Sequence, residues 1–313
     1  MKKKMSRRKK VLVISLFMIL FVLILFFGFS FMAFNYLFGD LKVNQFNKND
    51  TQLGISQEIE DKQENTKIMN IALFGVDSRN EESFKGRSDS IMILSVDKKA
   101  NSLKLTSILR DSEVLIDGHG KSKITHAYSY GGPELAVKTL NQNFKLDIRE
   151  YATINFEGLS KVIDMLNGID IQITEAEKQQ INQSCDGQDL QNAGNVHLNG
   201  QQALAYSRIR YIDSDTKRAN RQRNVLEAMF TKVKTMSPTQ YPSLLKSIMS
   251  LVETSLQYDE ILSYAPMMLK EVTLEQNYIP NQQDNPVGGG NPWVWKFDVN
   301  ASADRLHKFI YGE

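Results

Sequence analysis

Residues 68–96 read IMNIALFGVDSRNEESFKGRSDSIMILSV, and this stretch decides the fold class. Ile68 to Val76 and Ser90 to Val96 are short, nearly continuous apolar runs, the pattern of strands buried on both faces. The first runs straight into Val76-Asp77-Ser78-Arg79, and the second is introduced by Gly86-Arg87-Ser88-Asp89. Leu103 to Leu109 is a third, alternating run. Working outward, Pro133 opens a helix to about Asn143, Tyr151 to Asn155 reads as a strand, Phe156 to Leu166 as a helix stopped by Asn167-Gly168, and Ile169 to Ile173 as another strand. Strands alternating with helices of this length predict an α/β domain whose helices cover both faces of a mixed sheet. The second half reads as helices at about 200–208, 215–235, 241–254 and 259–272, the last kinked at Pro266. Gly288-Gly289-Gly290 then precedes a strand at Trp293–Val299 and a terminal helix. No internal repeat is visible.

The N-terminus sets the expected compartment. Val11 to Gly39 carries no charge and is rich in Leu, Phe and Ile, longer than the ~20 residues that span a bilayer. Lys2, Lys3, Lys4, Arg7, Arg8, Lys9 and Lys10 precede it, which by the positive-inside rule keeps residues 1–10 cytoplasmic and sends the rest outward. The competing reading is a cleaved signal peptide, but the apolar run is about twice a normal h-region. The expected organisation is therefore a basic tail (1–10), a transmembrane anchor (11–38), a polar extracellular stalk (39–66) and one domain (67–313). Without those seven basic residues, 31 of the 38 Lys and Arg face 36 Asp and Glu, so the outer part is acidic and bulk nucleic-acid binding is disfavoured. The single Cys185 excludes an intramolecular disulfide and zinc sites built on Cys pairs.

Asp77 and Asp89 lie at the ends of neighbouring apolar runs. If those strands are antiparallel the carboxylates converge, and they would suit Mg²⁺, which takes one or two carboxylates and fills its shell with phosphate oxygens and water. Ordinary turn chemistry explains the same residues. Arg110 follows the third run, and Arg208 and Arg210 end the helix GQQALAYSRIR. Asp215 reads as an N-cap, and Leu226, Met229, Phe230 and Val233 form an inward stripe at i, i+3, i+4, i+7. Stepping back by fours reaches Gln222 and Arg218, so both face inward. A guanidinium there needs an anion: either an internal carboxylate or a bound phosphate. With Arg87, Arg110, Arg208, Arg210 and Arg218 all near element ends, a pyrophosphate site is favoured over unrelated ion pairs. No Walker-type loop, HExxH spacing around His119, His126, His197 or His307, or Gly-x-Ser-x-Gly elbow is present.

These residues resemble the LytR-CpsA-Psr family of cell-wall enzymes. The likeness rests on Gly75–Arg79, Gly86–Ser90, Leu109-Arg110-Asp111-Ser112, Lys123–Tyr128, and Ala203 to Arg210 followed by Arg218 and Arg221-Gln222-Arg223. It covers about residues 68–235 and is weak beyond. One departure is Leu109, where the family usually has proline. The resemblance implies a three-layer α/β/α fold enclosing an apolar tunnel for a polyprenyl chain, with the pyrophosphate at its mouth. It implies Asp77 and Asp89 as metal-associated aspartates (Mg²⁺ or Mn²⁺), and Arg87, Arg110, Arg208, Arg210, Arg218 and Gln222 as head-group ligands. Arg110 then acts in catalysis, and Asp77 or Asp215 accepts a proton. The implied reaction moves a glycopolymer phosphate from its polyprenyl-pyrophosphate carrier to peptidoglycan, at the C6 hydroxyl of N-acetylmuramic acid. The alternatives are a regulatory membrane protein that binds lipid pyrophosphate without turnover, and a hydrolase.

Overall fold

The structure, a computed structural model, describes residues 48–312 apart from Asn65, 79–82, Tyr211, 265–266 and 268–269. The anchor expected over 11–38 lies outside the described residues, as do residues 39–47 of the expected stalk. Among the described residues no helix is long and apolar enough to cross a membrane.

In chain order the elements are α1 (Asp50–Leu53), α2 (Gln57–Glu64), β1 (Ile68–Val76), β2 (Ser88–Asp97), β3 (Ser102–Ile108), β4 (Glu113–Ile116) and β5 (Gly120–Lys123). There follow α3 (Thr125–Phe144), β6 (Glu150–Asn155), α4 (Phe156–Met165), β7 (Ile169–Ile173), α5 (Glu175–Ser184), β8 (Gly194–Leu198), α6 (Gly200–Arg208) and α7 (Asp215–Thr235). The chain continues through α8 (Tyr241–Met249), β9 (Val252–Thr254), α9 (Tyr258–Ser263), β10 (Thr273–Ile279), β11 (Val287–Gly289), β12 (Val294–Lys296) and α10 (Val299–Tyr311). The central sheet has six strands in the order β10-β3-β2-β1-β6-β9. β1 is antiparallel to β2 and parallel to β6, and β3 is parallel to β10, so the sheet is mixed.

Alternation along β1 explains why both faces are covered. Ala72, Phe74 and Val76 point into a core with Tyr128, Val137 and Leu140 of α3 and Leu306 of α10. Ile71 and Leu73 point to the other face, toward Met267 and the elements that follow β6. A period of two with apolar residues at nearly every position leaves no solvent face. A second core, built on Ile163, Ile169, Ile171, Ile181, Leu198 and Tyr206, ties the β7–β8 hairpin to α4, α5 and α6. Val225 joins it from α7, so α6 and α7 are fixed as a pair.

Several expectations change. Residues 48–64 are not a free polar stalk: Leu53, Ile55 and Ile59 are buried in the main core, and Asn141 donates to the Leu53 carbonyl at 2.9 Å. Three scattered apolar residues lack a visible period, yet each buried one contributes roughly 1.5–3 kcal/mol. The folded part therefore begins before residue 67. The expected helix at 241–254 ends at Met249 and gives way to edge strand β9; of the one expected at 259–272, α9 (Tyr258–Ser263) forms the first part, and β10 follows from Thr273. Ser214, not Asp215, caps α7: its backbone is extended (φ −91°, ψ 164°) and its hydroxyl accepts from Lys217 N, leaving Asp215 in the first turn.

Candidate functional site

β1 and β2 bring their polar ends together because they are antiparallel. Gly75 pairs with Ser90 but Val76 pairs with Ser88, so Asp89 is the extra residue of a β-bulge. Bulges re-aim side chains, and here the Asp89 carboxylate sits only 9% exposed between two arginines. Arg110 Nη1 donates to Oδ1 and Arg210 Nη2 to Oδ2, each at 2.8 Å. Arg110 stands at the exit of β3, on a turn whose backbone is held on several sides. Leu109 N donates to the Ile279 carbonyl at 2.7 Å, Thr125 N to the Arg110 carbonyl at 3.2 Å, and Ile124 N to the Ser112 carbonyl at 2.9 Å. Thr125 also donates its hydroxyl to the Ser88 carbonyl, linking this turn to the start of β2.

Arg218 enters from the first turn of α7. It is 5% exposed and pairs with Asp215 at 3.0 Å. Burial lowers its pKa; Asp215 and Asp89 counter that, while Arg110 and Arg210 add repulsion. For Arg110 burial also works against the charge, but Asp89 and Asp111 outweigh it and the pKa is raised. Asp111 pairs with Lys123 at 2.8 Å; burial opposes its ionisation, but Lys123, Arg110 and Arg218 hold its pKa below the usual range. Four cations thus share three carboxylates. Two guanidinium nitrogens stay shut off from solvent with no hydrogen bond among the described residues: Nε of Arg110, whose ion-pair partner Asp111 Oδ2 stands off at 3.6 Å, and Nη1 of Arg218. Such a donor costs about 1–3 kcal/mol, more when charged, unless something accepts from it.

Next to this cluster an apolar cavity of about 250 Å³ runs between the sheet and α4, α7 and α8. Gln222, one turn beyond Arg218, lines it together with Ser90 and Ser207, while Leu226, Met229 and Ile248 make apolar wall. The volume lies below the about 300–1,000 Å³ of whole-ligand pockets, so it suits a segment of a long apolar chain.

Asp89, Arg110, Arg210, Arg218 and Asp215 therefore meet, and Gln222 lies on the cavity wall. The remaining residues expected at the site make no hydrogen bond or ion pair with this cluster among the described residues. Asp77 is exposed at the end of β1, its backbone N–H donating to the Arg87 carbonyl, and the Arg87 side chain is exposed. Arg87 is nonetheless close enough to His126 to add to the burial that lowers the pKa of that histidine. Arg208 lies over the Phe156 ring, 4.4 Å from its centroid, and lines a separate cleft with Ser78. Asp111 and Lys123 belong to the cluster, although sequence reasoning gave them no role; their place inside the quoted motifs was the available signal.

Metal chemistry is compatible with these donors. Asp77 offers an exposed carboxylate, and among the described residues each Asp89 oxygen accepts one arginine N–H while carrying two lone pairs. No group of three or more His, Cys, Asp or Glu gathers among the described residues, so phosphate and water would have to complete a Mg²⁺ shell.

Comparison with known proteins adds the lineage. The pattern of the LytR_cpsA_psr family matches residues 36–306. A polyisoprenyl-teichoic acid–peptidoglycan teichoic acid transferase, TagU of Bacillus anthracis, is 33% identical over 246 residues, 75% of each chain. TagV of B. subtilis superposes with a TM-score of 0.64 at 26% identity, covering 78% of this chain and 96% of that one. YwtF (TagT), solved with bound octaprenyl pyrophosphate lipid, superposes with a TM-score of 0.62 at 22% identity, covering 87% and 95%. The α/β fold, the ordered motifs and the family match together establish that this chain belongs to the LytR-CpsA-Psr family.

Proposed function

We propose that this chain is a phosphotransferase that moves a glycopolymer from a polyprenyl-pyrophosphate carrier to peptidoglycan. The observation that carries the reading is the pair of buried guanidinium nitrogens without a hydrogen bond on Arg110 and Arg218, in a cation-rich cluster beside an apolar cavity. A diphosphate supplies the missing acceptor oxygens and charge, and its polyprenyl tail supplies apolar surface for the cavity. The names of the relatives support transfer of teichoic acid to peptidoglycan, and the octaprenyl pyrophosphate held by YwtF supports the lipid class.

In the proposed reaction a sugar hydroxyl of peptidoglycan attacks the phosphorus next to the glycopolymer. A new oxygen–phosphorus bond forms, the bond to the bridging oxygen breaks, and polyprenyl phosphate leaves with that oxygen. Charge grows on the bridging and non-bridging oxygens, and fixed guanidinium donors stabilise it without reorganising. Arg110 and Arg218 are pre-set for this, because Asp89, Asp111 and Asp215 hold them while leaving donors open. Arg210 reaches the same place through Asp89, and Arg87 and Arg208, outside the cluster, would meet the rest of the head group. Asp77, with Asp89, would hold Mg²⁺, which when bound supplies further charge neutralisation on the phosphate oxygens. The hydroxyl proton passes to a carboxylate, Asp77 or Asp215; replacing each with Asn and comparing pH–rate profiles chooses between them.

The anchor expected at 11–38, with the domain outside the cell, would confine the site to the plane of its lipid substrate and raise effective concentration. The test of the whole reading uses the full chain, labelled lipid-linked polymer and peptidoglycan fragments. A transferase makes a covalent polymer–glycan product. A hydrolase releases only free polymer phosphate, and a regulatory binder leaves the lipid intact; either result contradicts the proposal.

A further inference from the structure

A second cleft, about 410 Å³ in volume, flanks the arginine cluster between the N-terminus of α7 and the β11–β12 hairpin. Asn220, Tyr278, Asn281, Gln282 and Trp295 line it, with Lys217 as a cation and no carboxylate among the described residues of the lining. The indole nitrogen of Trp295 is closed off from solvent and has no hydrogen-bond partner among the described residues. Trp293 stands edge-on to Trp295, ring centroids 4.8 Å apart at 77°, and remains 42% exposed. Large exposed aromatics that pack on each other and not into a core leave apolar surface for a ligand.

The hairpin is built to hold this pair. Gly288 lies opposite Trp295 in the register, and a Cβ there would come within 2.5 Å of the Trp293 ring and 3.3 Å of the Trp295 ring. Only glycine lets both indoles lie over that strand. The hairpin is also fastened to the cluster: Trp295 N donates to the Asp111 carbonyl at 2.9 Å. Leu109, which precedes Arg110, and Ser214 and Thr216, which flank Asp215, belong to the same wall. Whatever occupies the cleft lies next to the groups assigned to the phosphate.

An aromatic surface, carboxamides, an unpaired indole N–H and the absence of acids match one ligand chemistry well. A sugar ring has apolar C–H faces and a rim of hydroxyl and acetamido groups that donate and accept. The geometry points to a saccharide-binding cleft, in which the Trp293–Trp295 hairpin and the first turns of α7 hold an N-acetylated sugar unit beside the reacting phosphate. The inference rests on the transfer reading and deepens it by naming where a glycan sits. Two glycans meet in that reaction, the sugar attached to the diphosphate and the acceptor strand, and both present this chemistry.

The chain contains two tryptophans, both on this hairpin, and Trp295 lines the cleft with Trp293 packed against it, so intrinsic indole emission responds to its occupancy. The full chain in detergent micelles is titrated with three probes: a short peptidoglycan glycan strand, a bare short-chain polyprenyl diphosphate, and the same lipid diphosphate carrying N-acetylglucosamine. A saturable emission change with a sugar-bearing probe, beyond that of the bare diphosphate, is the expected result. A response to the glycan strand assigns the cleft to the acceptor, and one confined to the sugar-bearing lipid assigns it to the donor. By calorimetry Trp295→Phe, which keeps an aromatic ring and loses the N–H, weakens the responding probe about tenfold. Gln282→Ala, at an exposed side chain, weakens it less, and both variants bind the bare diphosphate as the wild type does. No emission change with either sugar probe, or unaltered sugar affinity in both variants, overturns the cleft while bare diphosphate binding keeps the arginine site intact. Failure of the bare diphosphate to bind counts against the arginine site instead, and sugar binding then decides the cleft by itself.

Discussion

Arg218 and Arg221 lie one turn apart on α7, are 5% and 3% exposed, and could hardly be in more different situations. Arg221 donates from Nε to Glu177 at 2.7 Å, from Nη1 to Asp213 at 3.0 Å and to the Ile209 carbonyl at 3.3 Å, and from Nη2 to Asp213. Burial opposes its charge, but hydrogen bonds donated to Asp213 and Glu177 outweigh that and raise its pKa. Among the described residues Arg218 has the single partner Asp215 and an Nη1 without a hydrogen bond, burial dominates, and its pKa is lowered. One guanidinium is completed by the fold. The other is completed only when an anion arrives from outside, and burial alone does not distinguish them.

The sharpest way to break this comparison is to remove each arginine in turn. Arg221→Ala leaves Glu177 and Asp213 facing each other without a cation, so denaturant unfolding should show a loss of about 3–5 kcal/mol. Arg218→Ala should behave in the opposite way. It relieves repulsion with Arg110 and Arg210, so stability should change by no more than about 1 kcal/mol, while transfer should fall about 100- to 1,000-fold, roughly 2.7–4 kcal/mol of transition-state stabilisation. Equal losses of stability in the two variants would show that both arginines serve the fold.

A carboxyl far from the cluster extends the comparison to acids. Asp147 is under-compensated: burial pushes its pKa up to about 6, and the amide of Asn70, donating at 3.0 Å, offsets only part of that. Its folded pKa exceeds its unfolded value of about 3.9, so the native state binds the extra proton between these values and stability falls as pH rises through that window. Asp147→Asn should therefore stabilise the protein at pH 7, by on the order of 2 kcal/mol, and make little difference near pH 4. Urea midpoints at the two pH values check the sign. The smallest effect concerns the platform itself: Ser214→Ala removes the cap of the helix that carries both arginines and should cost about 1 kcal/mol by thermal unfolding.

Much of this was legible from sequence, for reasons that particular residues make clear. β1 and β2 announce themselves because both of their faces are buried, so apolar residues are nearly continuous. Arg218 was legible as inward-facing because it lies on the i, i+4 line through Gln222 and Leu226. The bulge at Asp89 was not: it depends on register between strands, which no local pattern records. Nor was the burial of Arg221 and Arg223, whose partners Glu177 and Ser107 are 44 and 116 residues away. Residues 50–64 read as stalk in the sequence because two short helices and their link, touching a core through Leu53, Ile55 and Ile59, need no amphipathic period. β10, with its sequence TLEQNYI, is an edge strand with half its residues in solvent, so its signal was weak.

The most direct measurement is a titration of the full-length chain and its Arg218→Ala variant with a short-chain polyprenyl diphosphate, followed by calorimetry. The account predicts saturable binding by the parent chain and an affinity at least about tenfold weaker in the variant, since a charge-assisted hydrogen bond is lost from a desolvated site. Equal affinity in both proteins would contradict it.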